Sequence, residues 1–105
     1  GGAICMLANG HKTTIMTTQR NVFEGNYAGN VGGAIVSAHN STNATTTITG
    51  YQFKGNNAKV ASGTSVFKGK LSTLILNRCI FDQAQTPALD NLTNLTKDDE
   101  TTFGG

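Results

Sequence analysis

No stretch of this chain is apolar enough to span a bilayer, no segment has the make-up of a signal peptide, and no run reads as an amphipathic helix. These absences argue against membrane insertion and against a helical fold. Tryptophan is missing and aromatics are only 7% of the residues, a scarcity that suits short strands joined by tight turns. The net charge of +2 rests on eight scattered Lys and Arg, too few and too dispersed for a phosphate-binding stripe, so nucleic acid is not expected as a partner. No phosphate loop, zinc spacing or Ser-His-Asp order occurs, and no cofactor is expected. An initiating Met is also absent, which reads as a processed chain or an excised segment.

What the chain does contain is a repeat. Gly1-Gly2-Ala3-Ile4 recurs 31 residues later as Gly32-Gly33-Ala34-Ile35 and, weakened, as Gly63-Thr64-Ser65-Val66. Between these marks lie Val22-Phe23-Glu24-Gly25-Asn26, Gln52-Phe53-Lys54-Gly55-Asn56 and Ile80-Phe81-Asp82-Gln83-Ala84. Two motifs that keep their order over three copies are the mark of a solenoid, in which no repeat can bury its apolar face without its neighbours. The expected fold is all-β, a right-handed parallel β-helix with three sheets and about three to four coils. It forms one domain or segment over residues 1–105, with clear repeats over 1–84 and a degenerate last coil over 85–105.

In such a coil, equivalent residues stack at about 4.8 Å. Ile4, Ile35 and Val66 then make one core ladder, and Phe23, Phe53 and Phe81 a second. Gly-Gly supplies positive φ for a tight corner, while Asn26 and Asn56 stack in the turn after the Phe strand and hydrogen-bond along the axis. A third stretch, 13–17, 45–49 and 71–76, is rich in β-branched residues or Leu. Loops 7–12, 37–44 and 68–70 precede it at one edge. In the last coil Pro87-Ala88-Leu89 takes the place of the Gly-Gly strand and Thr101-Thr102-Phe103 forms a terminal strand, in a register the sequence leaves open.

Gly-Gly-Ala-Ile alternating with Phe-X-X-Asn resembles the repeat of the polymorphic outer membrane proteins of chlamydiae, over about residues 1 to 84. Phe81-Asp82-Gln83-Ala84 and Gly63-Thr64-Ser65-Val66 depart from the pattern. The resemblance implies a surface-exposed parallel β-helix with an adhesive role, attached in that family to a membrane barrel, of which this chain shows no trace.

Four Asn-X-Ser/Thr sequons, at Asn40, Asn43, Asn91 and Asn94, fall in paired loop positions and point to an extracellular or cell-surface protein carrying N-linked glycans. Enzymatic chemistry finds little support. Glu24 and Asp82 occupy equivalent places with Lys54 between them, which reads as an outward ladder of alternating charge, and Asp98-Asp99-Glu100 as a solvated loop or a polar cover. His11 and His39 lie in comparable loops, too few for a metal site. Cys5 and Cys79 sit two strand spacings apart on different sheets, beyond the roughly 7 Å Cα limit for a bridge.

The sequence therefore points to an extracellular structural or adhesive β-helix, not an enzyme, and to the glycosylated subunit of a head-to-tail filament or surface fibre. Its partners would be copies of itself or adjoining coils of a longer chain. The axial contact would use Gly1, Gly2, Ala3 and Ile4 at one end and Thr101, Thr102 and Phe103 at the other, with Cys5, Val36 and Phe67 as an outward apolar row for lateral packing. Two alternatives stay open: a carbohydrate-active β-helix fragment, which needs a cleft with two carboxylates, and an ice-binding array, of which Thr45, Thr47 and Thr49 form one good row.

Overall fold

The computed structural model describes residues 2–6, 12–37, 42–60, 63–90 and 93–104; Gly1, His11, His39, Asn40 and Asn91 lie outside that set. The described chain is all-β. In chain order the strands are β1 (Ile4–Met6), β2 (Lys12–Glu24), β3 (Tyr27–Ala28), β4 (Ile35–Ser37), β5 (Thr45–Lys54), β6 (Asn57–Ala58), β7 (Val66–Lys68), β8 (Thr73–Asn77), β9 (Ile80–Phe81), β10 (Leu89–Asp90), β11 (Leu95–Lys97) and β12 (Thr102–Phe103). One helical turn, Gln85–Ala88, interrupts them. No helix is long and apolar enough to cross a membrane among the described residues.

Every pairing in this set is parallel. One sheet runs β1-β4-β7-β10, a second joins β2 to β5 and continues through β8 to β11 and through β9 to β12, and a third pairs β3 with β6. The register lines up the repeat. Ile4 faces Ile35, Ile35 faces Val66, and Val66 faces Leu89. Along the second sheet Phe23, Phe53, Phe81 and Phe103 form one column. Thr13, Thr46, Leu74 and Leu95 form another, and Ile15, Ile48, Leu76 and Lys97 a third. The register of β10, β11 and β12 is thus resolved, with Leu89 and Phe103 as ladder members.

Alternation explains why these segments are strands. In β5 the side chains of Thr46, Ile48 and Phe53 are buried while Thr45, Thr47 and Thr49 are half-buried on the opposite face, and β8 repeats this with Leu74 and Leu76 inside. The core joins Ala34, Ile35, Ile48, Phe53, Val66, Leu74, Leu76, Cys79, Phe81, Ala88 and Leu89.

The glycine pair divides its labour. Gly32 and Gly63, at the first position of the second and third copies, take φ of +68° and +69°, where a Cβ is disfavoured. The second has a different constraint: a Cβ on Gly33 would lie 2.0 Å from the Thr64 carbonyl oxygen, and one on Gly2 would lie 2.3 Å from that of Gly33. Positive φ is therefore needed at one position and close backbone approach at the other. Further left-handed residues, Gly50 at φ +85° and Arg78 at φ 51°, bend the second sheet at equivalent points of successive repeats. The first repeat places residues 17–20 opposite Gly50, a bulge between Met16 and Asn21.

Two expectations require correction. Cys5, Val36 and Phe67 do share one register column, but Val36 is 7% exposed and Phe67 half-buried, so the row is not an open strip. The Gly-Gly corner covers it, with Val36 Cγ2 only 2.4 Å from where a Gly32 Cβ would stand. Lys68, placed in a loop by its sequence, is instead the last residue of β7 and is buried at 1% exposure, its Nζ donating to the Gly69 carbonyl at 2.8 Å. Burial lowers its pKa, and the charge of Asp90 works against that shift.

Candidate assembly surfaces

The phenylalanine column ends on partly uncovered side chains, whereas the column that starts at half-buried Ile4 ends on Leu89, which is buried. Phe53 and Phe81 are buried, with ring centroids 4.5 Å apart and planes 2° from parallel. Phe23 stacks on Phe53 at 5.2 Å and 17°, and Phe103 on Phe81 at 4.7 Å and 14°. Both terminal rings are half-buried, with one face covered by the column. Ile4, Met6 and Ile15 are half-buried at the same end as Phe23, and Leu95 at the same end as Phe103.

The backbone repeats this pattern. β1 and β2 pair on one side only, with β4 and β5, and β10, β11 and β12 pair on one side only, with β7, β8 and β9. Among the described residues their other edges carry no strand, and an unpaired edge is a template for further parallel pairing. Gly2 and Ala3 are exposed at the first end, their N–H groups donating to the Gly33 and Ala34 carbonyls at 3.0 Å. At the second end Thr102 is exposed and Phe103 half-buried.

Thr101 belongs to the interior instead. It is 2% exposed, and its hydroxyl donates to Asp98 Oδ1 at 2.8 Å and accepts from the Cys79 N–H at 3.2 Å. Asp98 also accepts from the Arg78 N–H at 3.1 Å and the Thr101 N–H at 2.9 Å. Desolvation opposes its ionisation, but the hydrogen bonds from Thr101, Arg78 and Glu100 outweigh it and hold the carboxyl below the ordinary range. The expected polar cover is thus a specific cap built by Asp98 and Thr101. The signal was present in the sequence, an Asp three residues before a Thr.

Polar stacking occurs where the repeat placed it. Asn26 Nδ2 and the Asn26 N–H both donate to Asn56 Oδ1 at 3.0 Å, and Asn56 Nδ2 donates to the Phe23 carbonyl at 2.8 Å. Gly25 and Gly55 precede these Asn at φ +68° and +65° with open space around them. Glu24 stands in register with Lys54, while the Asp82 carboxylate accepts the Gly55 N–H at 2.7 Å. These carboxylates therefore face a lysine or a backbone amide and frame no cleft.

Among the described residues no pocket opens, and no group of three His, Cys, Asp or Glu is placed to hold a metal. Cys5 is exposed and Cys79 buried, both as free thiols. Burial pushes the Cys79 thiol up, against backbone hydrogen bonds and the charge of Arg20, and its Sγ donates to the Ile48 carbonyl at 3.3 Å. The threonine array is interrupted: the outward column through Thr47 runs Thr14, Thr47, Ile75, Thr96, and that through Thr49 runs Met16, Thr49, Asn77. Asn43 and Asn94 are exposed just before β5 and β11, at the same end of the second sheet with β8 between them.

Comparison with protein-family models, curated proteins and solved structures returns no match.

Proposed function

We propose that the chain is an extracellular structural or adhesive right-handed parallel β-helix, the glycosylated subunit of a filament or surface fibre that grows head to tail. The observation that carries this reading is the four-ring phenylalanine column: its two inner rings are sealed and its two outer rings each leave a face uncovered beside an unpaired strand edge. Parallel connections within one sheet are right-handed in nearly all proteins, which gives the hand of the coil. Stacking further coils would convert both exposed ends into interior, at about 25 cal/mol per Å² of apolar surface removed from water.

The surface role rests on Asn43 and Asn94, which are exposed just before β5 and β11. Glycans there would project from the strand starts of the second sheet. A structural task also suits a chain in which Asp82 and Asp98 are engaged by local hydrogen bonds.

Negative-stain electron microscopy and sedimentation of native material test the proposal. Four stacked strands at roughly 4.8 Å predict a subunit rise of about 19 Å along the fibre. Intact mass before and after deglycosylation reads occupancy of the sequons. A stable monomer at micromolar concentration would remove the filament, and an unmodified native mass would remove the glycans.

A further inference from the structure

We infer that the first end is a binding site for an extended strand of another chain that carries Phe-Lys-Gly-Asn, the form the motif takes in this chain's own second repeat. The site is independent of head-to-tail growth: it would serve a single subunit as well as the leading subunit of a fibre.

The way β5 and its turn sit on β2 sets the chemistry. Phe53 stacks on Phe23 with ring centroids 5.2 Å apart, Lys54 stands in register with Glu24, and Asn56 meets Asn26. The asparagine contact has a direction. Asn26 gives its backbone N–H and one Nδ2 hydrogen to Asn56 Oδ1, each at 3.0 Å, and Asn56 Nδ2 gives a hydrogen to the Phe23 carbonyl at 2.8 Å. Moving that pattern one strand spacing, about 4.8 Å, toward the first end puts Asn26 in the part that Asn56 plays. Among the described residues Asn26 Oδ1 accepts no hydrogen bond, and its Nδ2 keeps a second hydrogen to give. An incoming asparagine supplies two donors to that oxygen, and the carbonyl of the incoming phenylalanine takes the hydrogen.

The other contacts of that motif are open in the same place. Phe23 is half-buried with one face on Phe53, and Val22, Glu24, Gly25 and Tyr27 around it are exposed. β2 pairs on one side only, with β5, so its other edge offers backbone groups to an added parallel strand. In the occupant, Phe supplies a ring for Phe23, and Lys sets its ammonium beside the Glu24 carboxylate. Gly takes the left-handed turn, as Gly25 and Gly55 do at φ +68° and +65°. The sequence Phe81-Asp82-Gln83-Ala84 shows what the site would reject: it keeps the ring but sets an acid against Glu24 and brings no asparagine to Asn26. The ring therefore gives affinity, and Glu24 with Asn26 selects the strand.

Fluorescence anisotropy with the full chain as receptor and a labelled peptide of residues 45–58 as probe tests the site. Saturable binding is expected. Changes made in the peptide leave the receptor's fold untouched: Phe53→Ala should weaken binding at least about tenfold, and Asn56→Ala or Lys54→Glu about threefold or more. In the receptor, Glu24→Lys should reverse the preference between the native and Lys54→Glu peptides, and the milder Glu24→Gln should abolish it, with circular dichroism matching the wild type. No saturation up to about 1 mM peptide, equal affinity for all the peptides, or a preference that neither Glu24 variant moves would overturn the site. Fibres that form while no peptide binds would remove the strand site and leave head-to-tail growth standing. Peptide binding by a chain that never forms fibres would support the site and remove head-to-tail growth.

Discussion

Truncating Phe53 to alanine probes the stacked column at its most enclosed point. The ring is 0% exposed and lies between Phe23 at 5.2 Å and Phe81 at 4.5 Å. Burying a phenylalanine is worth about 1.5–3 kcal/mol, and each stacked neighbour adds about 0.5–1.5 kcal/mol. The sum agrees with the roughly 3–5 kcal/mol that Phe→Ala costs in cores. Phe23 is half-buried and also meets Tyr51 at 4.8 Å, so Phe23→Ala should cost only about 1–2.5 kcal/mol in the dispersed chain. Urea unfolding followed by far-ultraviolet circular dichroism separates them: with a slope of about 2 kcal/mol/M, Phe53→Ala should lower the midpoint by about 2 M and Phe23→Ala by about 1 M or less. Equal losses for the two substitutions in the dispersed chain, or a loss below about 1 kcal/mol for Phe53→Ala, would refute the enclosed column.

Ser65 stands in the column of Ala34 and Ala88, and its Oγ is buried without a hydrogen-bond partner, so Ser65→Ala should stabilise by about 1 kcal/mol, read as a rise in thermal midpoint. Gly33→Ala drives a Cβ into the Thr64 carbonyl and should cost about 3 kcal/mol; Gly25→Ala meets open space at φ +68° and should cost only about 1–2 kcal/mol. Chemical denaturation of the two variants side by side checks that order. Asp98 is held below the ordinary carboxylate range when folded, so its stabilising contribution is complete above the unfolded value of about 3.9 and is lost as pH falls through the folded one. Asp98→Ala should therefore lower the midpoint at neutral pH and flatten the acid side of the stability curve, and an unchanged acid slope would count against the cap.

The first three repeats were legible because stacking imposes the same side chain at the same place in each, and Ile4, Ile35 and Val66 keep a constant interval. In the last repeat Leu89 and Phe103 were legible as strand members, but their register was not, because they return to their columns after shorter stretches than the fixed interval. Val36 was misjudged for a different reason: alternation alone points it outward, and only the path of the Gly32 corner covers it. Lysine is so seldom buried that Lys68 could not be placed from its type. The end surfaces were partly visible, through Ile4 and Phe103, whereas the bulge that aligns residues 17–20 with a single glycine leaves no mark in the repeat.

The intervals between column members carry a consequence for how such a chain can change. Along Ile4, Ile35, Val66 and Leu89 they are 31, 31 and 23 residues, and along the phenylalanines 30, 28 and 22, yet every pairing holds. Closing a longer connection adds only about 0.6 kcal/mol per doubling of its length. Codons can therefore be gained or lost between strands at little cost, provided that each strand returns to its stack. Selection would act along the stacking direction and leave the connections free to drift. Copies of one ancestral repeat can then diverge in length and decoration while remaining interchangeable as building units.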